Sequence, residues 1–394
     1  MLIKIVAVSG VFCLGFCFAL LGSLSVKIMP RLGIGKAAFG TLVAGFMFSS
    51  TLSCLALGFF VDALGYRPIA VSGFVGVALC TLLLARCRAF APAMAACILL
   101  GLCAMSVNTA GNTLITITLF DGTNPAAASN LGNVFFGAGL LLTPLLASVL
   151  FERLQFDRAV SLLAIFPALP VLPALFAQYP AIETGYSLAS ALAIVREPAV
   201  IAASVWAFFY SSIETVLSSW LPSCGKEVFE RAEPGVAEAH RDASAQRLLS
   251  YFALAIIASR VGMSLAPWLA AHGVPVVTAG SMLLILSLAG LRFAQSSRAC
   301  RLCVIVAGLG IGPCYPTTLG MVFSKFYPGV YGTIFGTMST LGMFGGTVAP
   351  KIIGNIAQRS SVQRALLWLI PACLLLTAAI FVTAALPGRG APVP

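Results

Sequence analysis

The sequence predicts an all-α polytopic membrane protein with twelve transmembrane helices. Long apolar runs follow one another from end to end, 60% of the residues are hydrophobic, and only 9% are charged. A soluble globular chain carries about 25% charged residues. The runs are long enough to cross the ~30 Å hydrocarbon layer at ~1.5 Å per residue. Because lipid offers no hydrogen bonds to the backbone, such runs must be helical.

The twelve predicted spans are numbered in chain order. They cover residues 5–29, 39–61, 69–85, 91–118, 129–151, 160–178, 198–222, 248–271, 275–293, 301–322, 331–352 and 365–386. The first is too long for the apolar region of a secretory signal peptide, so it counts as span 1. An even number of spans places both termini on the same side of the membrane.

Two polar segments divide the chain. Residues 179–197 form a polar linker that contains Glu183 and separates six spans from six. We therefore predict an N-terminal bundle over residues 1–178 and a C-terminal bundle over residues 198–394. Residues 223–247 form the longest hydrophilic stretch, and we predict an extramembrane loop there, partly helical.

Composition argues against several other classes of protein. The 12 cysteines lie mostly inside spans, where thiols behave as small hydrophobes. Cys300 and Cys303 form the single C-x-x-C pair, and with only two histidines we expect no metal site or other cofactor. Neither histidine lies centrally in a span and no G-x-S-x-G motif occurs, so enzyme activity is not expected.

The formal net charge of +11 requires negatively charged counterions. Its basic residues sit between spans, so membrane lipid head groups, and not nucleic acid, are the expected counterions. If the N-terminus is cytoplasmic, inner loops hold five of the 23 basic residues, outer loops hold fifteen, and three are ambiguous. The positive-inside rule by itself therefore favours the reverse orientation.

Spans 5 and 11, one in each half of the chain, have similar patterns of glycine and proline. Gly137, Gly139 and Pro144 in span 5 correspond to glycines followed by Pro350 in span 11. Those glycines are Gly342, Gly345 and Gly346. Because glycines let helix backbones approach closely in lipid, the matched positions favour an internal repeat.

The connection after span 2 carries a G-x-x-x-D-x-x-G-x-R motif, formed by Gly58, Asp62, Gly65 and Arg67. Gly58 and Asp62 share a helix face, and Gly65 can make the tight turn. A carboxylate at a helix end needs a positive partner, and the N-terminus of span 11 near 331–333 can supply it.

With this motif the chain resembles the major facilitator superfamily over its whole length. In that family the motif is a cytoplasmic latch, although Ala63 stands here where a basic residue is usual. The resemblance implies a cell membrane location, the bacterial inner membrane, with both termini and the linker cytoplasmic. We follow the motif rather than the loop charges in assigning this orientation.

A narrower resemblance is to the fucose–proton symporters and sodium-dependent glucose carriers. The residues that carry it, in spans 4, 5, 7, 8 and 10, are Asn108–Asn112, Asn130–Gly139, Tyr210–Glu214 with Trp220, Arg260, and Gly308–Thr317. Asn108 stands where that family has an acid, and Asn133 where its glucose-carrier branch usually has histidine. The resemblance therefore implies a sugar-type carrier whose coupling ion, H⁺ or Na⁺, is not inherited with it.

Ionisable residues deep in a span are functional candidates because burying them is costly. Glu214 lies about 24 Å into span 7, and Arg260 about 18 Å into the oppositely directed span 8. Their side chains can meet. Two interpretations stay open: the pair only neutralises itself, or it lines a cavity and binds substrate.

Neutral polar residues form the second group of candidates. Asn108 and Asn112 lie one turn apart, and amides that donate and accept suit an uncharged polyhydroxylated ligand. Hydrogen bonding between helices is their alternative role. Asn133, with Asn130, lies nearer the inner end of span 5. Tyr315 follows Gly312–Pro313, which loosens span 10 and marks either a gate or an ordinary kink.

Together these residues predict a secondary transporter of a small neutral hydrophilic solute, a sugar by resemblance, working by alternating access as a monomer. Uniport and ion-coupled transport both stay open. A lipid or drug carrier of the same fold, or a sensor that does not transport, are the alternatives.

Overall fold

The computed structural model describes residues 1–180 and 186–388, and within those ranges all regular structure is helical. Eleven of the described helical segments are long and apolar enough to cross a membrane. A twelfth long helix, Tyr331–Arg359, occupies predicted span 11 and is richer in glycine and threonine. Glu183 of the predicted linker and Arg389 of the loop-charge count lie outside the described residues.

The helices group into two compact units, and each unit includes one segment from the other half of the chain. Unit 1 comprises Met1–Thr123, Gly132–Val195 and Phe326–Thr340. Unit 2 comprises Asn124–Leu131, Arg196–Lys325 and Leu341–Pro394. The beginning of span 5 therefore belongs to unit 2, and the beginning of span 11 belongs to unit 1. Sequence order alone assigns each span to one half and does not anticipate this exchange.

Unit 1 is built around one central helix. Its helices are α1 Leu2–Leu32, α2 Lys36–Leu64, α3 Tyr66–Arg86, α4 Phe90–Thr118, α5 Pro125–Arg153, α6 Phe156–Leu163, α7 Ile165–Ala168, α8 Val171–Phe176 and α9 Leu188–Val195, with α5 beginning in unit 2. Helix α4 packs against α1, α2 and α3. Predicted span 6 is divided into α6, α7 and α8 because its prolines lack the N–H that a continuous helix needs.

Unit 2 has a similar order of elements. Its helices are α10 Pro198–Ala232, α11 Glu238–Leu265, α12 Pro267–Ala270, α13 Gly273–Phe293, α14 Ser297–Ile311, α15 Cys314–Phe323, α16 Tyr331–Arg359, α17 Val362–Ala365 and α18 Leu369–Ala385, with α16 beginning in unit 1. Helix α10 packs against α11 and α18, and α14 packs against α11 and α13. Predicted span 10 is interrupted between α14 and α15, at Gly312–Pro313.

The hydrophilic stretch 223–247 is mostly helix. Helix α10 continues to Ala232 and α11 begins at Glu238, so the connection between them is only residues 233–237. The polar sequence indicates that the helices leave the membrane there, and it does not indicate that they end. The backbone hydrogen bonds of a helix can also form outside the membrane. The stretch predicted as a partly helical loop therefore consists of helical extensions of spans 7 and 8 and this short connection.

The glycines of spans 5 and 11 make matching contacts in the two units. A Cβ atom added to Gly139 would lie 2.3 Å from the carbonyl oxygen of Phe12 in α1. A Cβ atom added to Gly345 would lie 2.3 Å from the carbonyl oxygen of Phe208 in α10. Helices α1 and α10 open their respective halves. The predicted repeat is therefore present as two equivalent close backbone approaches.

Candidate functional site: two buried polar groups and a helix-end latch

The signature motif after α2 binds the start of α16. Asp62 is buried in the last turn of α2, and its two carboxylate oxygens accept hydrogen bonds from the N–H groups of Gly332 (2.9 Å) and Thr333 (2.6 Å). Gly58 lies against the Gly332 carbonyl, where a Cβ would be 2.3 Å from the oxygen. The predicted contact with the N-terminus of span 11 is confirmed. These hydrogen bonds place a carboxylate on a helix N-terminus, as the helix dipole favours.

The other two motif residues shape and anchor the turn. Gly65 has φ of 86°, which L side chains rarely adopt. Arg67 donates to the carbonyl of Leu175 at the end of α8, at 2.6 Å. That carbonyl is one of the unpaired groups at a helix C-terminus, so a guanidinium satisfies it well.

Tyr186, a residue that sequence reasoning did not select, also touches this latch. Its hydroxyl lies 2.7 Å from Thr333 Oγ1, and its ring lies 6.0 Å from that of Phe59. Burial raises the pKa of the Tyr186 phenol, so the group stays a neutral hydroxyl at physiological pH. No sequence motif predicts the contact between Tyr186 and Thr333, because the two residues are about 150 positions apart in the chain.

Asn108 and Asn112 form one buried amide pair on α4 in unit 1. Asn112 Nδ2 donates to Asn108 Oδ1 at 2.7 Å and to the Asn108 carbonyl at 3.2 Å. Asn112 Oδ1 and the hydroxyl of Thr109 are buried and have no hydrogen-bond partner among the described residues. Buried polar atoms are normally paired, so unpaired acceptors in the middle of a span indicate a place for a ligand or water.

Glu214 and Arg260 meet in unit 2, as predicted, with a third member between them. Arg260 lies 3.9 Å from Glu214 Oε1, which also accepts a hydrogen bond from the Tyr210 hydroxyl at 3.0 Å. The side chain of Arg260 is 5% exposed and that of Glu214 is 32% exposed. The carboxylate therefore has both a cationic partner and an accessible edge, and ligand or proton can reach that edge.

The break in span 10 orients Arg260. Its Nε donates to the carbonyl of Gly312 at 2.8 Å, and the residue four positions later, Pro316, has no N–H to donate to that carbonyl. Tyr315 follows the break, and its ring centroid lies 5.3 Å from that of Tyr210. The ring of Trp206 stacks on the ring of Tyr210, with the two ring centroids 5.4 Å apart. Sequence reasoning selected Tyr315 as a site candidate, whereas Tyr210 entered only through the family resemblance.

The two asparagines of span 5 lie in different units. Asn130 is fully buried in unit 2, and its Nδ2 donates to Thr317 Oγ1 at 2.9 Å. Asn133 is 8% exposed in unit 1. Asn130 Nδ2 therefore makes a hydrogen bond between helices, whereas Asn130 Oδ1 is buried and has no hydrogen-bond partner among the described residues.

Comparison with known proteins decides the family. The profile of the Major Facilitator Superfamily matches residues 7–350. The chain belongs to the Major Facilitator Superfamily. Proteins of this superfamily are transporters, so the chain is a multi-pass membrane transporter of small molecules and not an enzyme. A search of curated protein sequences finds no match.

Solved structures of superfamily transporters share the fold over nearly the whole chain. The transporter FucP in its outward conformation superimposes with a TM-score of 0.78 at 14% identity, covering 96% of this chain and 98% of that one. Human MFSD10, an organic anion transporter, gives 0.71 at 18% identity, covering 96% and 99%. The proton:xylose symporter XylE gives 0.74 at 11% identity, covering 96% and 94%. At these identities the likeness shows the fold of two six-helix bundles, and no more.

Proposed function

We propose that this transporter carries a small neutral polyhydroxylated solute, a monosaccharide, by alternating access. The observation that carries the proposal is the buried amide pair of α4, where Asn112 Oδ1 and Thr109 Oγ1 have no partner among the described residues. Acceptors and donors without net charge match sugar hydroxyls, each of which both donates and accepts. The fold likeness includes XylE and the E. coli fucose:proton symporter FucP.

Counterflow tests this proposal directly. Purified protein in liposomes preloaded with unlabelled monosaccharide should accumulate the labelled sugar. Asn108→Ala and Asn112→Ala should each raise KM about tenfold, the effect of losing one or two hydrogen bonds. Ser106→Ala is the matched control on the same helix, because its hydroxyl already donates to the Leu102 carbonyl at 3.0 Å. Absence of counterflow with any sugar would indicate the sensor alternative, and lipophilic cargo indifferent to both asparagines would indicate a lipid or drug carrier.

We further propose that Glu214 couples transport to protons. Asn108 and Asn133 replace the ionisable residues of the related families, and Glu214 is the carboxylate that the sequence places in the middle of a span. Its accessible edge lies beside Arg260, so protonation would release Arg260 from the ion pair. Glu214→Gln should abolish the stimulation of uptake by an inward proton gradient while counterflow continues. Persistence of that stimulation in Glu214→Gln would exclude the proposal, and its absence in the wild type would indicate uniport or Na⁺ coupling.

The proposed orientation has both termini in the cytoplasm of a bacterial cell, with the transporter acting as a monomer in the inner membrane. The motif that contains Asp62 supports it, because that motif is cytoplasmic in the superfamily, whereas the loop charges favour the reverse orientation. An epitope inserted in the connection 233–237 should then react in spheroplasts, whose outer membrane is removed and whose inner membrane is intact. Reaction only after the inner membrane is also opened would reverse the orientation.

A further inference from the structure

Unit 2 contains a polar cavity of about 470 Å³ that transport through the bundle does not explain. It lies at one end of the unit, where α10, α13, α16 and α17 meet. Charged and hydroxyl side chains line it, among them Arg231, Arg292, Arg364, Glu227, Glu230 and Ser361. A cavity of this size holds a small ligand group, and its polar lining argues against an apolar one.

The carboxylates of this cavity are already paired within the protein. Glu227 accepts hydrogen bonds from the N–H groups of Val362 (2.8 Å) and Gln363 (3.1 Å), and so caps α17. Glu230 lies 4.0 Å from Lys226 on the same helix. The negative charge of the lining is therefore largely used by internal contacts.

The arginines are less fully paired. Arg231 donates to the side-chain oxygen of Gln363. Arg292 and Arg364 have no carboxylate within 4.0 Å among the described residues, and Arg292 lies 5.6 Å from the Phe293 ring. These two arginines face one cavity and neither is paired with a carboxylate, so together they form a positively charged site. Paired guanidinium groups suit phosphate oxygens.

The cavity also lies where a membrane surface is expected. Arg292 stands in the last turn of the span Gly273–Phe293, and Arg364 in the first turn of the span Val362–Ala385. Phe293 is 75% exposed and Trp368 is 64% exposed. Exposed aromatic residues at span ends are typical of the interface where head groups lie.

We propose that this cavity binds a phosphate group, held by Arg292 and Arg364 with help from the Ser361 hydroxyl. The phosphate can belong to the head group of an anionic phospholipid or to a free anion. The chemistry is the same in both cases: charge-assisted hydrogen bonds from two guanidinium groups. The proposal stands independently of the transported solute, because it rests on residues outside the membrane-buried polar groups.

Thermal unfolding of delipidated protein tests the site, because a ligand that binds the native state raises the apparent Tm. The probes are inorganic phosphate, short-chain phosphatidylglycerol and short-chain phosphatidylcholine. We expect phosphatidylglycerol to raise Tm more than phosphatidylcholine. An additional effect of inorganic phosphate would identify a free anion as a ligand, whereas an effect of phosphatidylglycerol alone would identify the lipid.

Charge-matched variants make the test specific. The double variant Arg292→Gln/Arg364→Gln should weaken binding about tenfold or more. The control Arg298→Gln/Arg301→Gln removes the same charge from residues that do not line the cavity, and should bind like the wild type. Arg292→Lys/Arg364→Lys keeps the charge, and its partial binding would show that the loss is not misfolding. Equal loss in both glutamine variants, or no Tm increase with any probe, would overturn the proposal.

Discussion

The polar groups in the middle of the spans differ between the two units. Unit 1 buries the neutral amides of Asn108 and Asn112 on one helix, whereas unit 2 pairs a buried guanidinium with a partly exposed carboxylate on two helices. Neutral amides can be left partly unpaired at a modest cost, but an isolated charge in lipid cannot. The difference suggests a division of work: unit 1 offers hydrogen bonds to a neutral solute, and unit 2 offers a group that can change charge.

The largest expected effect comes from breaking the charged group of unit 2. Arg260→Met should lower the free energy of unfolding by about 3 kcal/mol, because it leaves Glu214 without its cation and Gly312 without a donor. Adding Glu214→Gln to that variant should recover part of the loss, since the remaining group is neutral. Unfolding in detergent, followed by intrinsic fluorescence, measures both. If the single and double variants have equal free energies of unfolding, Glu214 and Arg260 do not stabilise each other. Unit 2 would then not depend on an ion pair, and the difference drawn between the two units would be wrong.

The next effect tests the feature that the two units share. Gly139→Ala and Gly345→Ala should each cost about 1–3 kcal/mol, because the new methyl group meets a backbone carbonyl that cannot move alone. Gly262→Ala is the control, since a Cβ there would have no heavy atom within 4 Å. The Tm of the three purified variants is compared. A clear loss of Tm in only one of the Gly139→Ala and Gly345→Ala variants would show that the two close helix contacts do not contribute equally to stability.

A smaller effect is expected at the latch. Asp62→Asn should cost about 1–2 kcal/mol, because one of two charge-assisted hydrogen bonds to α16 is replaced by two facing N–H donors. Asp121→Asn removes the same charge from a side chain that is 90% exposed, and should leave Tm unchanged. Equal Tm values for these two variants would mean that the Asp62 contact adds nothing to stability.

The smallest effect concerns the unpaired hydroxyl of unit 1. Thr109→Val should leave stability unchanged or raise it by up to about 1 kcal/mol, because an unpaired buried hydroxyl gives way to a methyl group of the same shape. The same change should weaken solute binding severalfold. Thr113→Val is the control, since that hydroxyl already donates to the Thr109 carbonyl at 2.7 Å. Unfolding and counterflow are measured together, and a marked loss of stability in Thr109→Val would remove this hydroxyl from the proposed binding group.

Sequence reasoning predicted the elements well and their partners less well. The apolar runs located the spans, and the motif after span 2 led to the contact between Asp62 and the start of α16. The meeting of Glu214 and Arg260 followed from their depths in adjacent, oppositely directed helices. Tyr186 was missed and Tyr210 was not selected as a site residue, because nothing in their local sequence shows which way a helix is rotated or what lies opposite.

The sequence by itself determined that this chain is a helical membrane protein, because hydrocarbon thickness and backbone hydrogen bonding act on each segment locally. It also determined the repeat, since small residues must recur wherever backbones touch. Only the tertiary structure decided that the beginnings of spans 5 and 11 belong to opposite units, and that all of 223–247 except residues 233–237 is helix. Such choices depend on packing between segments far apart in sequence, and neither hydropathy nor spacing encodes that packing.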